Sequence, residues 1–287
     1  MSTRKLLKVI SIKLTVEGAG VQLGRGFGPG EARLLDPFLL FDDFTNTDES
    51  AYRQGFPMHP HRGIETVTYI LKGEVSHKDS LGNEGSIKAG EVQWMTAGSG
   101  IMHEEMPIVH EEGIQGFQLW LNLPQKNKMM TPRYQEIKSE MIPCLTQDGC
   151  TVRVIAGEYT GAKGPVQGLV TTPTYLDIQI GERSPFSIPT EEEDSFFIYV
   201  FEGRLSLRDD RSEFWVGKNE IGVLSGGKHF TCAGGKDGAR LLLIGGKKLK
   251  EEVAWRGSIV MNTEEELIQA VEELNNDTFI KKTTGRS

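Results

Sequence analysis

The sequence predicts an all-β protein: two β-barrel domains in tandem, with one short helix near the C-terminus. Three observations carry that expectation: apolar residues come in short runs bounded by turn residues, glycine is abundant, and the two halves of the chain repeat one another. Runs such as ETVTYIL (65–71), VQWMTAG (92–98), FQLWLNL (117–123), YLDIQI (175–180), FFIYVFEG (196–203) and ARLLLIGG (239–246) are rich in Val, Ile, Phe, Tyr and Thr. Their length and their Gly, Asp, Asn or Ser boundaries are the signature of strands, and their spacing suits a sandwich or barrel. Glycine makes up 34 of 287 residues without a three-residue period, which indicates many turns and excludes a collagen-like chain. A chain of this length has room for about two domains or one large barrel.

The repeat favours two domains. Tyr69–Ser76 (YILKGEVS) aligns with Tyr199–Ser206 (YVFEGRLS) at an offset of 130, and Glu91–Gly98 with Glu220–Gly227 at 129. Each copy reads as strand, glycine turn, strand, then a further strand entering a Gly-rich turn. The polar stretch from Pro124 to Gly149, with Pro132 and Pro143 inside it, contains no strong strand run and reads as the connection. The expected domains are therefore residues 1–134 and 135–287. Near the end, Thr263 and Glu266 form a capping-box pattern ahead of Leu267, Ile268, Val271 and Leu274, and Asn275–Asn276 ends the segment. This helix is expected to pack its apolar stripe on its own domain.

Composition removes several function classes. No window approaches 18 apolar residues, so no membrane-spanning helix is expected. The first residues are too broken by charge for a secretory signal, which favours a cytoplasmic protein. A net charge of −8 argues against direct nucleic-acid binding through a broad basic face. Cys144, Cys150 and Cys232 are odd in number and form no C-x-x-C pair, so they read as reduced thiols rather than a disulfide framework or a zinc site. The run Gly24-Arg25-Gly26-Phe27-Gly28 lacks a following helix pattern and reads as a flexible turn rather than a dinucleotide loop. The segment 247–250 (KKLK) reads as a solvated charge run.

The chemistry-bearing residues lie in the first copy, as His59-Pro-His61-Arg-Gly-Ile-Glu65 and His103-Glu104-Glu105. Strand side chains alternate with period two, so His59 and His61 share a face, with Glu65 following if no bulge intervenes; His103 and Glu105 share a face and Glu104 points away. On neighbouring barrel strands the two pairs would converge on one interior point. Three imidazoles and a carboxylate form a mixed nitrogen and oxygen set suited to divalent transition metals, and open positions beside such a set are where non-haem iron takes O2 or a chelating substrate. Transfer by 130 or 129 places Pro189, Glu191 and Cys232 where the three histidines stand, so only the first copy carries the set. His77, His110 and His229 have no partner pattern and read as surface or structural residues. Phe56, Trp94, Met95, Met102 and Met106 are candidates for a pocket lining, with core packing the simpler role.

Four segments together resemble the pirin family of the cupin superfamily: 35–42 (LDPFLLFD), 59–63 (HPHRG), 93–98 (QWMTAG) and 100–107 (GIMHEEMP). Gln118-Leu119-Trp120 and Val260-Met261-Asn262-Thr263 extend the resemblance along the chain. It implies two jelly-roll cupin domains, with one metal in the first. The ligands carried over are His59, His61, His103 and Glu105, and Fe(II) is the expected ion, other divalent transition metals being alternatives. Glu65 holds the place of the general cupin carboxylate ligand, but that position is not a ligand in pirins. Thr96 stands where the general second motif has proline, and His103 lies five residues after Gly98 rather than three. The resemblance implies a quercetin (flavonol) 2,3-dioxygenase, which opens the ring with O2 and releases carbon monoxide, with Glu105 as the catalytic base. Arg62 is a candidate to brace the site, although alternation turns it from the face His61 uses. The alternative the resemblance implies is a non-enzymatic, iron- or redox-dependent co-regulator that binds a transcription factor, nuclear as well as cytoplasmic in a eukaryote. A monomer is expected in either case.

Overall fold

The computed structural model describes residues 2–209 and 212–281. Their regular structure is mostly antiparallel strand, with one α-helix, Glu264–Asn275. None of the described helices is long and apolar enough to cross a membrane. Two compact units form, and neither is contiguous in sequence: one comprises Lys13–Gly30, Phe38–Ser139 and Leu249–Ser287, the other Met1–Ile12, Glu31–Pro37 and Glu140–Lys248. The expected single boundary after residue 134 thus lies five residues from the main crossing after Ser139, and the terminal segments change sides. The physical cause is strand pairing. Leu6–Ser11 pairs with Glu220–Leu224, while Lys13–Glu17 pairs with Val21–Phe27.

The repeat read from sequence is a repeat of register. In the unit containing Phe38–Ser139, Tyr69 faces Val92 across an antiparallel ladder; in the other, Tyr199 faces Ile221. Their interiors differ. The second copy packs Phe186, Ile188, Phe196, Ile198, Phe230, Cys232, Leu241 and Leu243 into one apolar core. The first copy is built from a four-stranded and a seven-stranded sheet. Its apolar cluster of Val21, Leu23, Phe44, Tyr52, Ile70, Val75, Ile87 and Ile114 borders a cavity rather than filling it.

The helix forms where expected. Thr263 Oγ1 accepts from the Glu266 amide at 3.2 Å, and the Glu266 carboxylate accepts from the Thr263 amide at 3.2 Å. Its buried stripe runs through Leu267 and Ala270, with Leu274 packed beside them, and Ile268 is exposed. Ile268 lies about 100° round the helix from Leu267, which takes it off the stripe.

Two buried cations hold this C-terminal segment to the first-copy barrel. Arg62 donates to the carbonyls of Ser99 (2.8 Å) and Phe279 (2.9 Å), pairs with Glu273 at 2.7 Å and stacks on the Phe279 ring at 4.1 Å. Its task is therefore to fasten the helix. Lys128 Nζ donates to the carbonyls of Gly63 and Val260, both at 3.0 Å, and to Asn122 Oδ1 at 2.6 Å. Burial lowers the Lys128 pKa from 10.5 to about 7. Between those values the unfolded chain binds the proton more than the folded one, so stability rises with pH across that window, by a total on the order of 5 kcal/mol. Urea midpoints between pH 7 and 10 check this: wild type should steepen relative to Lys128→Met, and parallel curves would contradict it.

Gly63 closes the same junction. Its φ is +76°, and a Cβ there would sit 1.9 Å from the Val260 carbonyl oxygen. Gly63→Ala is expected to cost about 2–4 kcal/mol, from backbone strain and overpacking together. A shift in urea midpoint at constant m-value measures it, and a loss under about 0.5 kcal/mol would be inconsistent with this contact.

Candidate metal centre and its cavity

His59 and His61 lie on the strand Phe56–His61, and His103 and Glu105 on Ile101–Ile108. The first is an edge strand, which is why Pro57 and Pro60 are tolerated in it. His59 faces His103 directly across the ladder, and the register then slips so that Glu105 faces Phe56 rather than Pro57. The alternation expected from sequence holds within each strand. It does not reach Glu65: Gly63 turns the chain, and Glu65 enters the next strand, Ile64–Lys72. Buried there, Glu65 accepts from Thr96 Oγ1 at 2.7 Å, and burial raises its pKa.

The ligand-capable nitrogens of His59, His61 and His103 all lie within 4.8 Å of one another, and His59 Nε2 and His61 Nε2 are 3.0 Å apart. Ring centroids are separated by 4.4–4.9 Å. His59 Nδ1 sits 2.9 Å from the Pro57 carbonyl, a contact that places the proton on Nδ1 and leaves the Nε2 lone pair inward. His103 Nε2 is buried without a hydrogen-bond partner. Desolvation and the neighbouring imidazoles push the His61 and His103 pKa values well below the usual 6.5, so both rings are neutral at pH 7. Neutral converging imidazoles with an unsatisfied buried nitrogen are the donor set a divalent transition ion takes. No cysteine is among them, which distinguishes the set from thiolate zinc sites.

Glu105 is buried on the same strand as His103, and its carboxylate is fixed from two sides. Thr68 Oγ1 donates to Oε1 at 2.7 Å and Gln118 Nε2 to Oε2 at 3.0 Å. His59, His61 and Glu105 open on a cavity of about 620 Å³, whose apolar wall includes Phe44, Tyr52, Phe56, Trp120 and Trp255. Trp120 meets His61 edge-on at 5.1 Å and lies 6.2 Å from Trp255. Trp255, Gly257 and Ser258 reach the cavity because the C-terminal segment is fastened through Arg62 and Lys128, and Ser258 Oγ donates to the Pro60 carbonyl.

Sequence reasoning did not assign Arg25 and Asp42 to this cavity. The glycine-flanked Arg25 sits in the strand Val21–Phe27, not in a flexible turn, and binds Asp42 bidentately at 2.8 and 2.9 Å and Glu17 at 2.7 Å. The acceptors raise its pKa. Of the expected lining residues only Phe56 borders the cavity; Trp94 and Met95 are core. His77 is buried against Tyr134 and Glu136, a structural role.

Two family models match: Pirin over residues 20–121 and the Pirin C-terminal cupin domain over 175–280. A pirin-like protein of Caulobacter vibrioides is 40% identical over 281 residues, 97% of this chain and 100% of that protein. Human pirin is 40% identical over 279 residues, 96% of this chain and 93% of that protein. The crystal structure of a quercetin 2,3-dioxygenase from Acinetobacter baumannii superposes with a TM-score of 0.86 at 32% identity, covering 98% of this chain and all of that one. The Escherichia coli pirin YhhW in complex with nickel(II) shares the fold at a TM-score of 0.63 and 19% identity, over 83% of this chain and 97% of that one. Matched in both halves, and related over nearly its whole length to proteins from a bacterium and from man, the chain belongs to the pirin family, with two cupin domains in tandem.

Proposed function

We propose that this protein is a metal-dependent flavonol dioxygenase of the quercetin 2,3-dioxygenase type, opening the ring with O2 and releasing carbon monoxide. His59, His61, His103 and Glu105 would hold a single divalent ion, Fe(II) foremost. The observation that carries the reading is the union of a three-imidazole cluster with an apolar cavity of about 620 Å³, within the usual range for small-molecule sites. A surface regulator switched by its metal has no need of such a cavity, which favours catalysis over the co-regulator role. The resemblance to the Acinetobacter enzyme over both domains supports the same choice.

The ion, when bound, would acidify a coordinated hydroxyl and hold substrate and O2 in one geometry. The chain's own residues divide the remaining work. Glu105 accepts the flavonol 3-hydroxyl proton, its carboxylate already oriented by Thr68 and Gln118. Trp120, Trp255, Phe44 and Tyr52 exclude water and offer flat apolar surface to the fused rings. Arg25, neutralised by Asp42 and Glu17, adds a hydrogen-bonding edge without a net positive charge.

The test is an assay of fully Fe(II)-loaded protein with quercetin, in air and under anaerobic conditions. Loss of flavonol absorbance and release of one carbon monoxide per ring opened, both dependent on O2, are expected. Absence of ring-opened product from a fully loaded sample would overturn the reading.

A further inference from the structure

The second cupin domain carries a groove that the metal centre does not explain. It has a volume of about 700 Å³, and Arg183, Arg204, Arg208 and Lys236 line it, with Glu213 the single acid among the described lining residues. This concentration of positive charge occurs on a chain of net charge −8. Its acidic contacts are exposed and weak: Arg208 meets Glu213 at 3.0 Å, and Arg183 meets Glu182 at 4.0 Å. Among the described residues, Arg204 and Lys236 have no acidic partner.

Arg204 is also held in place. Its guanidinium stacks on the Trp215 ring at 4.5 Å. Its stem crosses Gly235, where an added Cβ would lie 2.8 Å from Arg204 Cγ. The adjoining Gly234 also lines the groove, and its own Cβ direction is closed by the Gly181 carbonyl. A glycine floor and an aromatic backing hold a planar five-donor fork in position with its edge free for oxygen acceptors. Arg204, Ser206 and Arg208 alternate along one strand and so share a face, opposite Trp215 and Glu213 on the paired strand.

We propose that this groove is a binding site for a small polyanion carrying phosphoryl or carboxylate groups, held between Arg204, Arg208, Arg183 and Lys236. A guanidinium fork suits either group, and four cations suit a ligand with more than one negative charge. Four cations gathered round one groove, with a single backed arginine, favour a compact ligand over a nucleic acid strand, which would need a longer basic track.

The experiment is calorimetric titration of the full metal-loaded chain with inorganic pyrophosphate and, separately, with citrate at low ionic strength. The same titrations are run on Arg204→Gln/Lys236→Gln and on His103→Ala. At least one of the two anions should bind; the preferred one identifies phosphoryl or carboxylate chemistry. The double variant should lose at least tenfold in affinity with an unchanged melting temperature, and His103→Ala should bind as wild type. The proposal is overturned if neither anion binds below 5 mM, if the double variant binds as tightly as wild type, or if binding disappears in His103→Ala. A single-stranded oligonucleotide that outcompetes both anions at equal charge would also overturn it.

Discussion

Replacing His103 by alanine is expected to reduce bound metal from near one ion per chain to a small fraction, with affinity falling by roughly 100-fold or more. His103 offers a buried, unpartnered Nε2 to the point His59 and His61 face. The metal-free fold should survive the change. His103 is desolvated beside two other imidazoles, and its removal relieves an unsatisfied buried nitrogen while opening a modest void. The two effects separate in a thermal melt. Wild type should gain stability on adding Fe(II), because a ligand that binds only the folded state shifts the equilibrium, and His103→Ala should gain little. Elemental analysis after dialysis provides the stoichiometry. An unchanged metal content in the variant would show that the ion sits elsewhere.

Glu105→Gln is expected to lower kcat by roughly 10²–10⁴ while metal content stays close to wild type. The substitution keeps the side chain's size and its contact with Thr68 but removes the anionic oxygen that takes a proton. Three imidazoles remain to hold the ion, so a loss of turnover without a loss of metal isolates the proton-accepting role from the ligating one. Thr68→Val should give a smaller loss, of about tenfold, since it removes the donor that orients Oε1 at 2.7 Å and leaves the charge. Metal-normalised steady-state kinetics measure both variants. Wild-type turnover in Glu105→Gln would assign the proton transfer to another group.

What was legible in the sequence was local. The H-x-H and H-x-E spacings needed only strand periodicity to place their side chains on shared faces, and the ladder puts His59 opposite His103. The two-copy architecture was legible because the same offset relates Tyr69 to Tyr199 and, within one residue, Val92 to Ile221, which pair with them in each barrel. The helix cap was legible for the same reason, its partners being three residues apart.

What was missed was non-local or hinged on one backbone angle. Arg25 reads as part of a glycine-rich turn until Asp42, seventeen residues on, is seen to grip it. Trp255 enters the cavity of a barrel whose histidine cluster lies about 150 to 200 residues earlier, because Arg62 and Lys128 fasten the returning chain; both are cations whose burial no composition rule anticipates. The positive φ of Gly63 breaks the alternation between His61 and Glu65, so a period-two extrapolation fails at that residue.

The most direct measurement of the central claim is X-ray absorption at the iron edge of the Fe(II)-loaded protein, alongside His59→Ala, His61→Ala and Glu105→Gln. The expected first shell has three imidazole nitrogens and at least one oxygen at about 2.0–2.2 Å, and the iron-edge signal of the His59→Ala and His61→Ala samples should fall to a small fraction of wild type. A shell fitted by one imidazole or none, or a spectrum that none of the three substitutions alters, would contradict it.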